Sequence, residues 1–330
     1  MQDTSILIPT CRRPHFLEAA LASVARQTAL NRIGEVLVIE NGEDRRSEDV
    51  CRKFRGLPIK YVFRNPVVPV PKLLVATMRE AGLPFVAMLH DDDWWFDFHL
   101  KRSLEKLAAR PDLSATYSGH FLAESENLWF QGLHGNFAAW FGNDQSLDVE
   151  TRLLNYRQML ITSLLQSGFH VSSVVYRRAL VEKAYTILDD GNDFDVDRTL
   201  AIELARLGDV LFFDTPSLVV RIHASQDSLL AIKQKRHLRF QVSTRQWIQR
   251  AQAEGIDICA ELAARIARPG FDAQRAVRTV GATEFAALAE ASVLPPPMVQ
   301  AHRRLNRRRQ LIKLFSKLNR WVQVATFRRK

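Results

Sequence analysis

Short apolar runs alternate with stretches of helical spacing over the first ninety residues. Thr4 to Pro9 (TSILIP), Glu35 to Glu40 (EVLVIE) and Phe85 to Leu89 (FVAML) are apolar and partly β-branched, with little polar alternation, the pattern of strands buried on both faces. Pro58 to Phe63 reads as a further strand. Between the first two, Phe16, Leu17, Ala20, Leu21 and Val24 recur at helical spacing behind Pro14, a residue suited to a first helical turn. Asn41-Gly42 signals a turn, and Lys72 to Ala81 reads as a second helix. Strand, helix, strand in this order predicts a doubly wound, mostly parallel α/β sheet.

The same reading continues with a helix marked by Leu100, Leu104 and Leu107 and closed by Pro111, then a strand over Ser114 to Ser118. From Gly119 to Asn143 the pattern breaks, leaving Phe121, Trp129, Phe130, Phe137, Trp140 and Phe141 among glycines. That stretch reads as a long loop, serving either as a lid or acceptor wall or as a cover of packed aromatics. Thr151 to Ser167 reads as a helix and Val171 to Tyr176 as a strand. Leu200, Leu204 and Leu207 mark a further helix, and Val210 to Phe213 and Ser217 to Ile222 mark two more strands. Beyond Ala231 the chain turns helical, broken at Pro269-Gly270 and at Pro295 to Pro297.

Composition adds bounds. At 330 residues and 47% hydrophobic, the chain can bury a large core, as one large α/β domain or two smaller ones. Cys11, Cys51 and Cys259 are far apart with no CxxC spacing, so neither a disulfide framework nor a zinc knuckle is indicated. With no basic-then-apolar leader at Met1 and no apolar run of membrane-spanning length, the expectation is a cytoplasmic protein whose membrane contact, if any, is peripheral. The net charge of +10 is uneven: 301–330 holds eleven Lys and Arg and no acid, which leaves −1 for the first 300 residues.

The chemistry concentrates where the apolar run at Phe85 ends in Asp91, Asp92 and Asp93. Three adjacent carboxylates repel one another unless water or a cation screens them. The carboxyl end of a buried strand in an open α/β sheet is also where ligands bind. Hard oxygen ligands of this kind suit Mg²⁺ or Mn²⁺ together with phosphate oxygens. The competing reading is a solvated acidic turn in which Asp93 or Asp97 caps the next helix. A second acidic cluster, Asp189 to Asp197 (DDGNDFDVD), leads into the Leu200 helix, and Arg221-Ile222-His223 closes a strand.

In order and spacing, ILIPTCRRP, EVLVIENGEDR, FVAMLHDDDWW, DFDVDRTLAIELARLG and LVVRIHASQDS resemble the family-2 glycosyltransferases with the GT-A fold, over roughly Thr4 to Ser228. The resemblance implies a nucleotide-binding half at 1–118, an acceptor half at 119–230 and a helical C-terminal extension at 231–330. It implies an inverting enzyme that moves a sugar from a nucleoside-diphosphate donor, a UDP-sugar by expectation, to a glycan or lipid-linked acceptor in cell-surface polysaccharide synthesis. Donor contacts fall on Pro9, Thr10, Arg13, Glu40, Asp91 and Arg221. Asp92 and His223 match the ligands of a Mn²⁺ or Mg²⁺ ion, and His90 stands at the first position of the family's DxD-type motif. Counting back from Gly208 places the catalytic base at Asp197, with Asp195 as its competitor. Glu40-Asn41 departs from the family's usual pair of aspartates, and Lys72 stands where an asparagine is usual.

Two other classes compete with this reading. A sugar-phosphate nucleotidyltransferase shares the nucleotide and Mg²⁺ logic, but the chain shows no glycine-rich triphosphate loop near residue 10. A catalytically silent relative would keep the fold and bind membrane or partners through its tail. There Leu311, Leu314, Phe315, Leu318, Trp321, Val322 and Ala325 share one helical face, with Lys313, Lys317 and Arg320 largely elsewhere. This pattern suits a basic amphipathic helix on an anionic membrane surface, or a helix packed on the body with a solvated basic face. Nucleic acid is not the expected partner, because the charge is confined to the tail and accompanies no nucleic-acid motif.

Overall fold

The structure, a computed structural model, describes residues 2–124, 130–134, 151–165, 169–181, 196–223, 238–267 and 282–304. β1 (Thr4–Thr10), β2 (Ile33–Asn41), β3 (Ile59–Arg64) and β4 (Phe85–Met88) form where apolar runs predict strands. They are linked through α1 (Pro14–Ala25), the short α2 (Glu48–Lys53) and α3 (Val70–Glu80). β1 pairs in parallel with both β2 and β4, and β2 with β3. Ile6, Ile8, Val36, Val38 and Ala87 enter one apolar cluster, while Leu7, Leu37, Ile39, Val86 and Met88 enter another. Alternate side chains of a strand point to opposite faces, so burial of both faces explains why these strands lack polar alternation.

The sheet is completed by β6 (Leu113–Ser118), β9 (Thr151–Leu154), β10 (Val175–Arg177) and β11 (Asp209–Phe213), in the order β3-β2-β1-β4-β10-β6-β11-β9. β10 and β9 run antiparallel to their neighbours, and the other strands are parallel. With α4 (His99–Ala109), α5 (Tyr156–Leu165) and α6 (Val196–Leu207) beside it, this is the expected mostly parallel α/β sheet with flanking helices. A smaller sheet joins β5 (Trp94–Trp95), β12 (Leu218–Ile222), β7 (His120–Glu124) and β8 (Phe130–His134).

Three expectations are corrected. The stretch read as loop from Gly119 carries β7 and β8. β7 pairs in parallel with β12, aligning Phe121 with Val219, a partner so distant in sequence that no local pattern announces it. Residues 125–129 and 135–150, with Trp129, Phe137, Trp140 and Phe141, lie outside the described residues. The helix expected from Thr151 begins at Tyr156, because Thr151–Leu154 add to the sheet edge against β11. There Asn155 Oδ1 accepts the Gln158 N–H at 3.0 Å and Gln158 Oε1 accepts the Asn155 N–H at 3.0 Å, a reciprocal N-terminal cap. Val171–Ser173 form a single 3₁₀ turn ahead of β10, because the His170 ring accepts the Ser172 N–H.

The C-terminal region is helical, as read, with α7 (Leu238–Ala253), α8 (Ile258–Ile266), α9 (Ala282–Glu290) and a helical stretch over 296–304. Trp247, Ile248, Leu262 and Leu288 share one apolar cluster with Leu160, Leu164 and Leu204. The expected break at Pro269-Gly270 and the basic amphipathic segment beyond residue 304 lie outside the described residues. No helix among the described residues is long and apolar enough to cross a membrane.

Candidate active site at the carboxyl edge of the sheet

β1 and β4 are neighbours that end at the same edge, so Thr10 and the aspartates beyond Leu89 meet there. Thr10 Oγ1 donates to Asp91 Oδ2 at 2.7 Å. Arg12 takes a left-handed conformation, φ 57°, in the turn between β1 and α1, ahead of Arg13 and the aspartates. Arg13 Nη1 donates to Asp92 Oδ2 at 2.7 Å, and Nη2 stands 2.8 Å from the buried Asp91 Oδ1, an ion pair without hydrogen-bond alignment.

The smaller sheet supplies the remaining pieces. β5 follows the aspartates directly and pairs antiparallel with β12, aligning Trp95 with Leu218 and Trp94 with Val219. Carried two positions further, that register sets Arg221 opposite Asp92, with His223 two residues beyond it. The Arg221 N–H donates to Asp93 Oδ1 at 3.2 Å, its Nε donates to the Asp92 carbonyl oxygen, and its guanidinium lies against the Phe16 and Trp94 rings. His223 Nε2 lies 2.9 Å from Asp92 Oδ2, with its ring against Phe16. Asp93 Oδ2 accepts Ser172 Oγ at 2.6 Å. The helix-capping alternative is excluded, because Phe98 occupies the N-cap of α4 and no side chain caps it.

All three carboxyls are buried, which opposes their ionisation. Burial pushes Asp91 and Asp93 up from the usual carboxylate range. At Asp92 burial acts in the same sense, but the His223 hydrogen bond and the charge of Arg13 outweigh it and hold the carboxyl well below that range. Of the three, Asp92 is the carboxyl whose charged form its neighbours favour, through the oxygen that His223 and Arg13 both face.

The other expected site residues fall at varied distances from this centre. Pro9 is buried in β1, where it aligns with Ile39. Glu40 aligns with Thr10 one strand away, but its carboxylate is fully buried and turned to its own surroundings. Ser47 N–H and Oγ donate to it at 3.0 and 2.8 Å, and Tyr61 Oη donates at 2.5 Å. Its neighbour Asn41 holds the Val68 backbone at both its oxygen and its nitrogen. Asp197 sits partly exposed in the first turn of α6, where its charge reaches the buried Tyr117 hydroxyl one residue before the end of β6. Asp195 lies outside the described residues, and Lys72 is exposed. Ser172 and His170, which close the site behind Asp93, carried no signal in the sequence: they follow an undistinguished apolar stretch, and only the antiparallel placement of β10 beside β4 brings them in.

Residues 5–184, more than half of the chain, match the family model described as Glycosyl transferase family 2. Among solved structures, the chain is similar to S. aureus TarS, with TM-score 0.52 and 14% identity over 90% of this chain and 50% of that one. It therefore spans half the length of that relative. It is similar to S. aureus TarS 1-349 in complex with UDP-GlcNAc, with TM-score 0.54 and 14% identity over 89% of this chain and 82% of that one. It is also similar to the mannosyltransferase PcManGT from Pyrobaculum calidifontis in complex with GDP-Man and Mn²⁺, with TM-score 0.52 and 17% identity over 94% and 80%. A sequence search of curated proteins returns no match.

Proposed function

The chain belongs to glycosyl transferase family 2 and has the GT-A fold of a glycosyltransferase, and on that premise we propose that it transfers a sugar, with inversion, from a nucleoside-diphosphate donor to a glycan or lipid-linked hydroxyl. The observation that carries the reading is the meeting of Thr10, Arg13, Asp91, Asp92, Arg221 and His223 at the carboxyl edge of the sheet, drawn from β1, β4 and β12. Structures of similar fold hold UDP-GlcNAc or GDP-Man, the latter with Mn²⁺. We assign a UDP-sugar as the donor to be tested first.

The donor set at Asp92 fits a divalent ion: one charged carboxylate beside one imidazole, with room in the chemistry for diphosphate oxygens. Asp92 and His223 would hold Mn²⁺ or Mg²⁺, which when bound neutralises charge on the departing nucleoside diphosphate. Arg13 and Arg221 add fixed positive charge to the same wall. Asp197 takes the proton of the acceptor hydroxyl as the hydroxyl oxygen bonds to the anomeric carbon and the bond from that carbon to the diphosphate breaks. The basic segment 301–330, which lies mostly outside the described residues, would hold the enzyme at the inner face of an anionic membrane beside a lipid-linked acceptor. Flotation with phosphatidylserine vesicles, compared with a chain ending at residue 304, tests that part separately.

Calorimetric titration with nucleoside diphosphates and their sugars, with and without Mn²⁺, tests the site. Metal-dependent binding of one nucleotide is expected, weakened about tenfold or more in Asp92→Asn. Asp197→Asn should keep that binding and lower kcat by about 10² to 10⁴. Parental turnover in Asp197→Asn would remove it as the base, and absence of nucleotide binding in the parental protein would overturn the donor site.

A further inference from the structure

The helical period of α1 groups Phe16 with Leu17, Ala20, Leu21 and Val24. Those four are buried in one apolar cluster, whereas Phe16 is half-buried and belongs to neither cluster. Its ring faces the aspartate edge instead. The Arg221 guanidinium lies over the Phe16 ring, 4.7 Å from its centroid, and over the Trp94 ring at 5.1 Å. The His223 ring meets the Phe16 ring at 4.5 Å, tilted by 44°. We propose that Phe16 is a positioning residue of this site, whose ring sets Arg221 and His223 for the diphosphate of the nucleotide. The inference rests on the reading of this edge as a donor site.

The carrying observation is how Arg221 spends its hydrogen bonds. An arginine buried beside three carboxylates would ordinarily form a bidentate pair with one of them. Among the described residues, the Arg221 side chain pairs with no carboxylate. Its Nε donates to the Asp92 carbonyl oxygen and its Nη2 to the Phe16 carbonyl oxygen at 3.4 Å, while the Phe16 and Trp94 rings lie against the guanidinium. Carbonyl oxygens and ring faces stabilise a cation without neutralising it. The charge therefore remains available to an anionic ligand. Without the ring, the guanidinium is free to swing onto Asp92 or Asp93 and the imidazole loses the surface that orients it.

The local sequence delivers the ring to this place. Arg13 and Phe16 are three residues apart at the start of α1, a spacing that puts them on one helical face. Pro14 between them suits the first turn. Arg13 thus reaches Asp91 and Asp92 while Phe16 reaches Arg221 and His223. The two halves join at Asp92 Oδ2, which Arg13 Nη1 holds at 2.7 Å and His223 Nε2 meets at 2.9 Å.

Two variants of the full chain test the role: Phe16→Leu keeps an apolar side chain and removes the ring, and Phe16→Tyr keeps the ring. The first readout is proton exchange of the Arg221 Nε–H by NMR, assigned by its loss in Arg221→Lys. Exchange should quicken about tenfold in Phe16→Leu and stay parental in Phe16→Tyr, with the backbone amides of β12 unchanged in both. The second is calorimetric titration with UDP and with GDP in Mn²⁺. Affinity for the nucleotide that the parent binds should fall about tenfold in Phe16→Leu and recover in Phe16→Tyr. Parental Nε–H exchange in Phe16→Leu would overturn the clamp, and an equal rise in the β12 amides would reduce Phe16 to packing. Faster Nε–H exchange with unchanged nucleotide affinity would overturn the positioning role. A parent that binds neither nucleotide would overturn the donor reading and the positioning role with it, while the exchange rates judge the contact between Phe16 and Arg221 separately.

Discussion

Glu40 and Glu35 are two acids of one strand whose roles differ through their partners. Glu40 follows an apolar run and aligns with Thr10, yet the Ser47 and Tyr61 bonds turn it into a strut behind the proposed donor site. Tyr61→Phe removes a short hydrogen bond to a buried carboxylate and should cost about 1 to 3 kcal/mol in urea unfolding. Glu35 is a cleaner case for pH. Burial opposes its charge, but bonds from Lys60, Ser5 and the Gly82 N–H prevail and hold its carboxyl below the ordinary 4.5. Because the folded value lies below the unfolded one, the unfolded chain takes up this proton first as pH falls. The stabilisation is therefore complete above pH 4.5 and is lost as pH drops through the folded value. Urea midpoints followed from neutral pH downward should fall less steeply below pH 4.5 in Glu35→Gln than in the parent. Parallel curves would remove Glu35 from the acid response.

At the scale of elements, legibility followed the range of the interaction. β1, β2 and β4 were readable because burial on both faces leaves continuous apolar runs, and α1 because Pro14 and a helical period coincide. The aspartate cluster is legible as three adjacent carboxylates at the end of a buried run, whereas its Arg221-His223 partner is legible only through family resemblance. What joins them physically is the two-residue β5 against β12, too short to carry a period. β7 and β8 escape the sequence reading because β7 pairs with β12, a partner too distant in sequence for a local pattern to announce. The start of α5 has a local signal: Asn155 and Gln158 have the spacing of a reciprocal cap, three residues apart. Gly208, from which Asp197 is counted back, has a structural reason of its own. It turns α6 into β11 so closely against β6 that an added Cβ would lie 2.8 Å from the Asp112 carbonyl oxygen and 3.2 Å from the Ser114 nitrogen. Backbone cannot move aside as a side chain does, so Gly208→Ala should cost about 1 to 3 kcal/mol. A thermal midpoint equal to the parent's would show that the turn yields.

At the scale of the whole molecule, the resemblance implies a division at residue 230, beyond the family model's match over residues 5–184, and the apolar core runs across it. Trp247 and Ile248 of α7, Leu262 of α8 and Leu288 of α9 are buried in the same cluster as Leu160 of α5 and Leu204 of α6. A polar bolt crosses the same junction. Arg198, the residue after Asp197, is buried, and its guanidinium donates to Thr244 Oγ1 at 2.9 Å and Ser243 Oγ at 3.2 Å on α7. The C-terminal helices therefore both cover α6 and hold the turn that carries the proposed base. Two consequences separate covering from positioning. A chain ending at residue 230 should expose the Leu160–Leu204 surface, bind a hydrophobic dye and lose its cooperative thermal transition; a sharp transition at the parental temperature would establish 1–230 as an independent domain. Arg198→Lys keeps the charge and loses the planar fork. It should lower stability by about 1 to 2 kcal/mol and reduce kcat more than it changes KM, because the proposed donor site lies on β1, β4 and β12 and is untouched. An equal loss in both kinetic constants would mean that Arg198 only packs the helix and has no part in placing Asp197.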